Sequence, residues 1–267
     1  MGNLRATFIL VAFAAATLPL MPLQLLYLRL GLPQAKTLPH AYHRFVARLL
    51  GIRMHVTGEI ASDHPVLLVS NHVSWLDIIV LSALTRLCFV AKAEVGTWPF
   101  ISWLAKLQRT VFVDRTRRTL VKDKAGEIAT RLAQGDTIVL FAEGTSGDGN
   151  KVLPFKTSLF SAAALGPDGE ASNAVVQTVT LTYTHLHGLP ILRHERPLIA
   201  WYGDMEMMSH IWTVLKRGPV DVQIRIGAPV ALSDLRDRKK LAAFSEFQIR
   251  HDYIEQLTAR PRVPEHA

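Results

Sequence analysis

Between Arg5 and Arg29 the chain carries no charge, and Ala6 to Leu28 is dominated by Leu, Ala, Phe, Val and Ile. A run of that length meets the requirement of about 20 apolar residues for a helix that crosses a bilayer. Pro19, Pro22 and Gln24 weaken a straight span, so a kinked or re-entrant element lying partly in the interface is the alternative geometry. Tyr27 and Arg29 suit the headgroup level where a membrane helix ends. Ala14 to Ala16 could precede a signal cleavage site, but apolar residues continue well beyond it. The expected organisation is a membrane anchor over residues 1–35, one catalytic-sized domain over 36–260 and a disordered tail over 261–267.

The chain has 267 residues, 49% of them hydrophobic, enough for one substantial core. Its formal net charge of +8 favours an anionic partner: a membrane surface, an acidic carrier protein or nucleic acid. The scattered basic residues, without zinc-finger spacing or an aromatic-basic signature, argue against nucleic acid. Cys88 is the only cysteine and sits among Leu87, Phe89 and Val90, which excludes a disulfide framework and predicts a small buried side chain.

Past the anchor, buried-strand and helix patterns alternate. A helix is expected over Lys36 to Leu50, stopped by Gly51, and another over Thr119 to Gln134, stopped by Gly135. Strands are expected at Ile52–Val56, Val66–Ser70, Cys88–Ala91, Val111–Val113, Thr137–Phe141, Val175–Tyr183 and Val220–Ile226, with a helix from about Ser74 to Leu84 and a long one over Ser233 to Leu257. Helices interleaved with fully apolar strands predict an α/β fold: a mixed, mostly parallel central sheet flanked by helices, preceded by the membrane-inserting segment.

The polar residues with chemical promise follow predicted buried strands, where open α/β sheets place their sites. Asn71-His72-Val73-Ser74-Trp75-Leu76-Asp77 follows the Val66–Ser70 strand. A histidine can serve as general base and a carboxylate can fix its tautomer. Residues five apart do not face one another on a helix, so His72 belongs to the turn and Asp77 to the first helical turn reaching back. Ser74 and Asp77 also form a capping-box spacing, which would account for the aspartate without catalysis. Glu143-Gly144-Thr145-Ser146-Gly147-Asp148-Gly149-Asn150 follows the Thr137–Phe141 strand and is too rich in glycine to be other than a loop that allows close backbone approach. It lacks the Lys-Ser/Thr of a nucleotide P-loop. Arg115 follows the Val111–Val113 strand and could bind an anionic group, or simply pair with Asp114 at the surface. Lys156 lies beside the apolar Leu153-Pro154-Phe155. No GxSxG nucleophile elbow occurs. His185 and His187 would share a strand face, but no further ligands accompany them, and no metal site is expected.

Together these residues resemble the glycerolipid acyltransferase family that includes 1-acylglycerol-3-phosphate acyltransferases. The matching motifs are Asn71-His72 with Asp77, Phe112-Val113-Asp114-Arg115, Glu143-Gly144-Thr145, and an apolar stretch at Val179 to Tyr183, in the family's order from about Ala41 to Ile226. The resemblance implies that His72 is a general base oriented by Asp77, and that Asn71, Arg115, Glu143, Gly144, Thr145 and Lys156 serve the substrate. It implies acyl carrier protein or coenzyme A thioester as co-substrate, with no bound cofactor. It also places the chain at a bacterial-type inner membrane, with the site on the cytoplasmic face. Where the family has arginine after Glu-Gly-Thr, this chain has Ser146, which removes a bidentate phosphate partner. That departure, with the Gly147–Lys156 run, is similar to lyso-ornithine lipid acyltransferases, whose acceptor carries no phosphomonoester. The alternatives are phosphatidic acid synthesis, with Arg115 or Lys151 binding the phosphate, and a non-catalytic module that binds anionic lipid.

Overall fold

The computed structural model describes residues 2–113, 118–160, 173–235 and 237–258, the side chains of 118–125 excepted. The expected tail and Arg115 lie outside the described residues. Helix α1 (Gly2–Arg29) is continuous through Pro19 and Pro22, and α2 (Gln34–Leu50) is stopped by Gly51, whose left-handed φ of 76° lets its N–H reach the carbonyls of Ala47 and Arg48. Then follow β1 (Ile52–Thr57), β2 (Val66–Ser70), α3 (Leu76–Leu84), β3 (Cys88–Lys92), α4 (Ile101–Leu107), β4 (Val111–Val113), α5 (Arg118–Ala133) and β5 (Ile138–Phe141). The second half comprises α6 (Thr157–Phe160), β6 (Val175–Leu186), β7 (Leu189–Pro190), α7 (Met207–Arg217), β8 (Val220–Ile226), β9 (Val230–Ala231) and α8 (Arg238–Thr258).

The strands form one sheet in the order β1-β8-β6-β2-β5-β3-β4, with β7 and β9 paired to β6. From β6 to β4 neighbours are parallel, whereas β8 runs antiparallel to β6 and carries β1 parallel to itself. This is the mixed, mostly parallel sheet expected. Strand β2 is apolar on both faces because helices cover both. Val66 and Leu68 pack into a core shared with α1, α2, α3 and α7. Leu67 and Val69 pack into a second core with α5, α6 and α8, where Cys88 is also buried.

Two expectations change. Helix α7 was not anticipated, although Glu206 caps it through Met208 N and Ser209 N, and Lys216 and Arg217 close it before Gly218. The C-terminal helix begins at Arg238 rather than Ser233, because Leu232–Leu235 forms a separate turn of 3-10 helix.

Helix α1 is long and apolar enough to cross a membrane, yet it lies against the domain. Arg5 donates to the carbonyls of Leu215 and Leu50. Thr17 Oγ1 bonds Tyr42 Oη at 2.6 Å. Gln24 Nε2 donates to Ala35 O and Leu107 O, both at 2.9 Å. At 1.5 Å per residue these ties extend over about 28 Å of helix. The opposite face stays bare, with Leu4, Phe8, Val11, Leu18 and Leu26 exposed.

Candidate active site

Strand register brings two motifs together that are far apart in sequence. Ser70 pairs with Phe141 across the parallel β2–β5 ladder, so His72 and Glu143 each emerge two residues beyond a paired position, at the same edge of the sheet. The Glu143 carboxylate bridges the two loops, accepting from His72 N at 2.7 Å and from Leu153 N at 2.8 Å. Burial, opposed by those two N–H donors and aided by the nearby Asp77 charge, pushes the Glu143 carboxyl up to about 8.

His72 sits before α3, and Asp77 reaches back from its first turn. The Nδ1–Oδ2 distance is 2.8 Å. A carboxylate oxygen can only accept, so Nδ1 carries the proton and neutral His72 presents an acceptor lone pair at Nε2. The ring stacks on Phe141 at a centroid distance of 4.1 Å, and the side chain keeps 18% exposure while Asp77 has none. Nε2 has no hydrogen-bond partner among the described residues. Asp77 Oδ2 also accepts from Val73 N at 2.6 Å and Ser74 N at 2.9 Å, and Oδ1 accepts from Tyr183 Oη at 2.6 Å. Burial and the Asp77 charge hold the Tyr183 phenol well above its ordinary range, which keeps it a donor. Only half of a capping box is present: Asp77 reaches the Ser74 amide, but the buried Ser74 hydroxyl has no partner.

Further contacts fix the loop. Gly147 N donates to His72 O at 2.9 Å and Trp201 N to Val73 O at 3.0 Å. Trp75 Nε1 donates to His210 Nδ1 at 3.1 Å, and burial lowers the His210 imidazole below its usual range, keeping that nitrogen an acceptor. Tyr183 and His210 are participants that motif reading missed. Tyr183 lay inside the apolar stretch, and nothing in its spacing marks it as facing Asp77.

The other expected site residues are placed differently from one another. Asn71 is 1% exposed and its amide is occupied on both sides by β6, donating to Leu181 O at 2.9 Å and accepting from Leu181 N at 2.8 Å. It extends the β2–β6 ladder past Ser70 and presents no open group to a ligand. Glu143 is likewise 2% exposed, with both carboxylate oxygens on backbone amides, so it joins loops. Gly144 takes a left-handed φ of 71° in the turn after β5. Thr145 and Lys156 are exposed. Strand β4, which leads to Arg115, lies three strands from β2, about 14 Å by ordinary strand spacing. Ser146 Oγ turns inward and donates to Trp201 O.

Metal ligation has little to work with among the described residues. One group of side chains, His251, Asp252 and Glu255, converges closely enough, and the Arg225 guanidinium already donates to both carboxylates. His185 bonds its neighbour Thr184. His40 and His43 of α2 bond Ser82 O and Pro39 O.

Known proteins are similar to this chain over most or all of its length. The acyltransferase family model matches residues 51–182. A lyso-ornithine lipid O-acyltransferase of Brucella abortus is 46% identical, covering 99% of both chains. Another of that name, from Rhizobium meliloti, is 40% identical over 92% of this chain and 85% of its own. The crystal structure of a 1-acyl-sn-glycerophosphate acyltransferase, PlsC, from Thermotoga maritima superposes with a TM-score of 0.65 at 21% identity, covering 98% of this chain and all of that one, which supports the fold.

Proposed function

The chain belongs to the acyltransferase family and acts on lysolipids, and from that premise we propose that it moves a fatty acyl group from a thioester carrier to the hydroxyl of lyso-ornithine lipid. The observation that carries the mechanism is the His72–Asp77 pair, with Nδ1 committed to the carboxylate and Nε2 left open. Nε2 takes the proton from the acceptor hydroxyl as its oxygen attacks the thioester carbonyl carbon. Collapse of the tetrahedral intermediate breaks the carbon–sulfur bond, and the imidazolium returns the proton to the leaving thiolate. Asp77 stabilises the imidazolium between these steps. The transfer is direct, in keeping with the lack of a nucleophile elbow.

The acceptor assignment is supported by the relatives' names and by Ser146. Its side chain is committed to Trp201 O, at the position where a phosphate-binding arginine would otherwise stand. The donor in this reading is acyl carrier protein or coenzyme A thioester, and a chain of net charge +8 suits an acidic carrier. We place α1 along the interface of the inner membrane with its bare apolar face in one leaflet, the active site facing the cytoplasm. Its ties at Arg5, Thr17 and Gln24 favour that arrangement over a span perpendicular to the domain.

The test is an acyl-transfer assay on membranes containing the protein, offering acyl carrier protein thioester with lyso-ornithine lipid or 1-acylglycerol-3-phosphate. Transfer to lyso-ornithine lipid that disappears in His72→Ala, with membrane association retained, is the expected result. Transfer to the phosphate lipid alone would move the chain to phosphatidic acid synthesis, and full activity in His72→Ala would remove the general base.

A further inference from the structure

The segment after the Glu143-Gly144-Thr145 motif is held against the base, and it carries a charge of the opposite sign to that of a phosphate site. Gly147 N donates to His72 O at 2.9 Å, so Asp148 is the next residue along from a direct contact with the catalytic turn. The Asp148 carboxylate accepts from Asn150 N at 3.0 Å and Asn150 Nδ2 at 3.2 Å, and it has no cationic partner among the described residues. The other end of the Asn150 amide, Oδ1, accepts from Arg196 Nη1 at 3.3 Å. Arg196 Nε is buried without a partner.

Gly149 shows how close the two sides are. A side chain there would meet Arg196 Cβ and Val73 Cγ1, each at 3.4 Å, and its φ of 76° suits glycine. Its carbonyl is fixed by Tyr253 Oη at 2.6 Å. Val73, Gly149, Tyr183, Arg196 and Tyr253 line a cavity of about 10 Å³, room for about one water, directly behind the His72–Asp77 turn. Asn150 thus bonds both a carboxylate that has no cationic partner among the described residues, Asp148, and a guanidinium whose buried Nε is unbonded, Arg196.

The geometry points to a recognition site for a zwitterionic amino-acid headgroup, in which Asp148 receives a side-chain ammonium and Arg196 the carboxylate. This rests on the acceptor reading above. An ornithine whose α-amine is acylated keeps those two charges and no others. Beside the turn, Ser146 withdraws a cation and Asp148 adds an anion, so an ammonium at Asp148 meets an attraction that a phosphomonoester there would lack.

The experiment uses the full chain in membranes and three acceptors with the same amide-linked 3-hydroxyacyl chain: lyso-ornithine lipid, its norvaline analogue without the ammonium, and its carboxyl methyl ester. Asp148→Asn keeps an oxygen for Asn150 N, and should raise KM for lyso-ornithine lipid about tenfold or more while leaving the norvaline analogue unchanged, since hydrogen bonds to charged groups are the strong ones. Arg196→Met should do the same for lyso-ornithine lipid and leave the methyl ester unchanged. Equal losses on all three acceptors would mean that the two residues only hold the loop, and would overturn this inference while leaving the acceptor assignment intact. Absence of transfer to lyso-ornithine lipid by the unaltered chain would overturn both.

Discussion

The turn 71–77 and the loop 145–151 face each other across the same sheet edge, and they are built on opposite rules. In the turn, Asn71, His72 Nδ1 and Asp77 are committed to fixed partners, and Asp77 alone accepts four hydrogen bonds. In the loop, Thr145 and Lys151 are exposed and Asp148 has no cationic partner among the described residues, although the backbone is tied at Gly147 and Gly149. Chemistry that must move one proton each way needs a base whose orientation costs nothing at the moment of reaction. Recognition needs charges whose partners arrive with the substrate. The contrast matches the division of labour proposed above, with the turn serving the reaction and the loop the choice of acceptor.

The sharpest way to break this comparison is at His72. His72→Ala should lower kcat by about 10³-fold, the middle of the range a positioned base contributes; a loss confined to KM would contradict the role. Asp77→Asn follows at about 10²-fold in kcat, with circular dichroism and membrane binding retained, since the amide still fills the turn but no longer stabilises an imidazolium.

A smaller change separates positioning from packing. Tyr183→Phe removes the hydrogen bond to Asp77 Oδ1 and should cost about tenfold in kcat with KM little changed. An unchanged kcat with only the thermal midpoint lowered would reduce Tyr183 to a core residue.

Ser146→Arg tests the loop. It should leave transfer to lyso-ornithine lipid within a few-fold and increase transfer to 1-acylglycerol-3-phosphate several-fold, because a guanidinium can pair with a phosphate at two points. Unaltered acceptor preference would show that the loop does not set it.

The smallest expected effect is on stability. The Glu143 carboxyl is raised from 4.5 to about 8. Between those values the folded chain binds the proton that the unfolded chain releases, so the stability contribution is complete below 4.5 and lost as pH rises through about 8. Glu143→Gln should flatten the fall of thermal midpoint over that window. A slope identical to that of the unaltered protein would place the titration elsewhere.

Much of this architecture is legible from residues alone. Strands β2, β4 and β8 have the boundaries expected because their apolar patterns are local, and β8 buries every second residue as its alternation requires. The position of His72 in a turn with Asp77 reaching back also follows from helical geometry, since residues five apart cannot meet on one helix face. Helix α7 escaped because it has only 11 residues, too short a run for Ile211, Trp212, Val214 and Leu215 to establish a helical period. Its signals were the Glu206 cap and the basic close before Gly218.

Local spacing thus determined most of the strands, the apolar length of α1 and the pairing of His72 with Asp77, whereas the arginine missing at Ser146 was read from the family resemblance. Partners across the sheet were decided by the tertiary structure, because strand order and register join residues that no local pattern relates. That is how Asn71 came to bond Leu181, Tyr183 to reach Asp77, and Glu143 to tie two loops. It is also why α1, apolar enough for a bilayer, lies on the domain: the acceptors for Arg5 and Gln24 are carbonyls of Leu50, Leu215, Ala35 and Leu107, brought alongside by the fold.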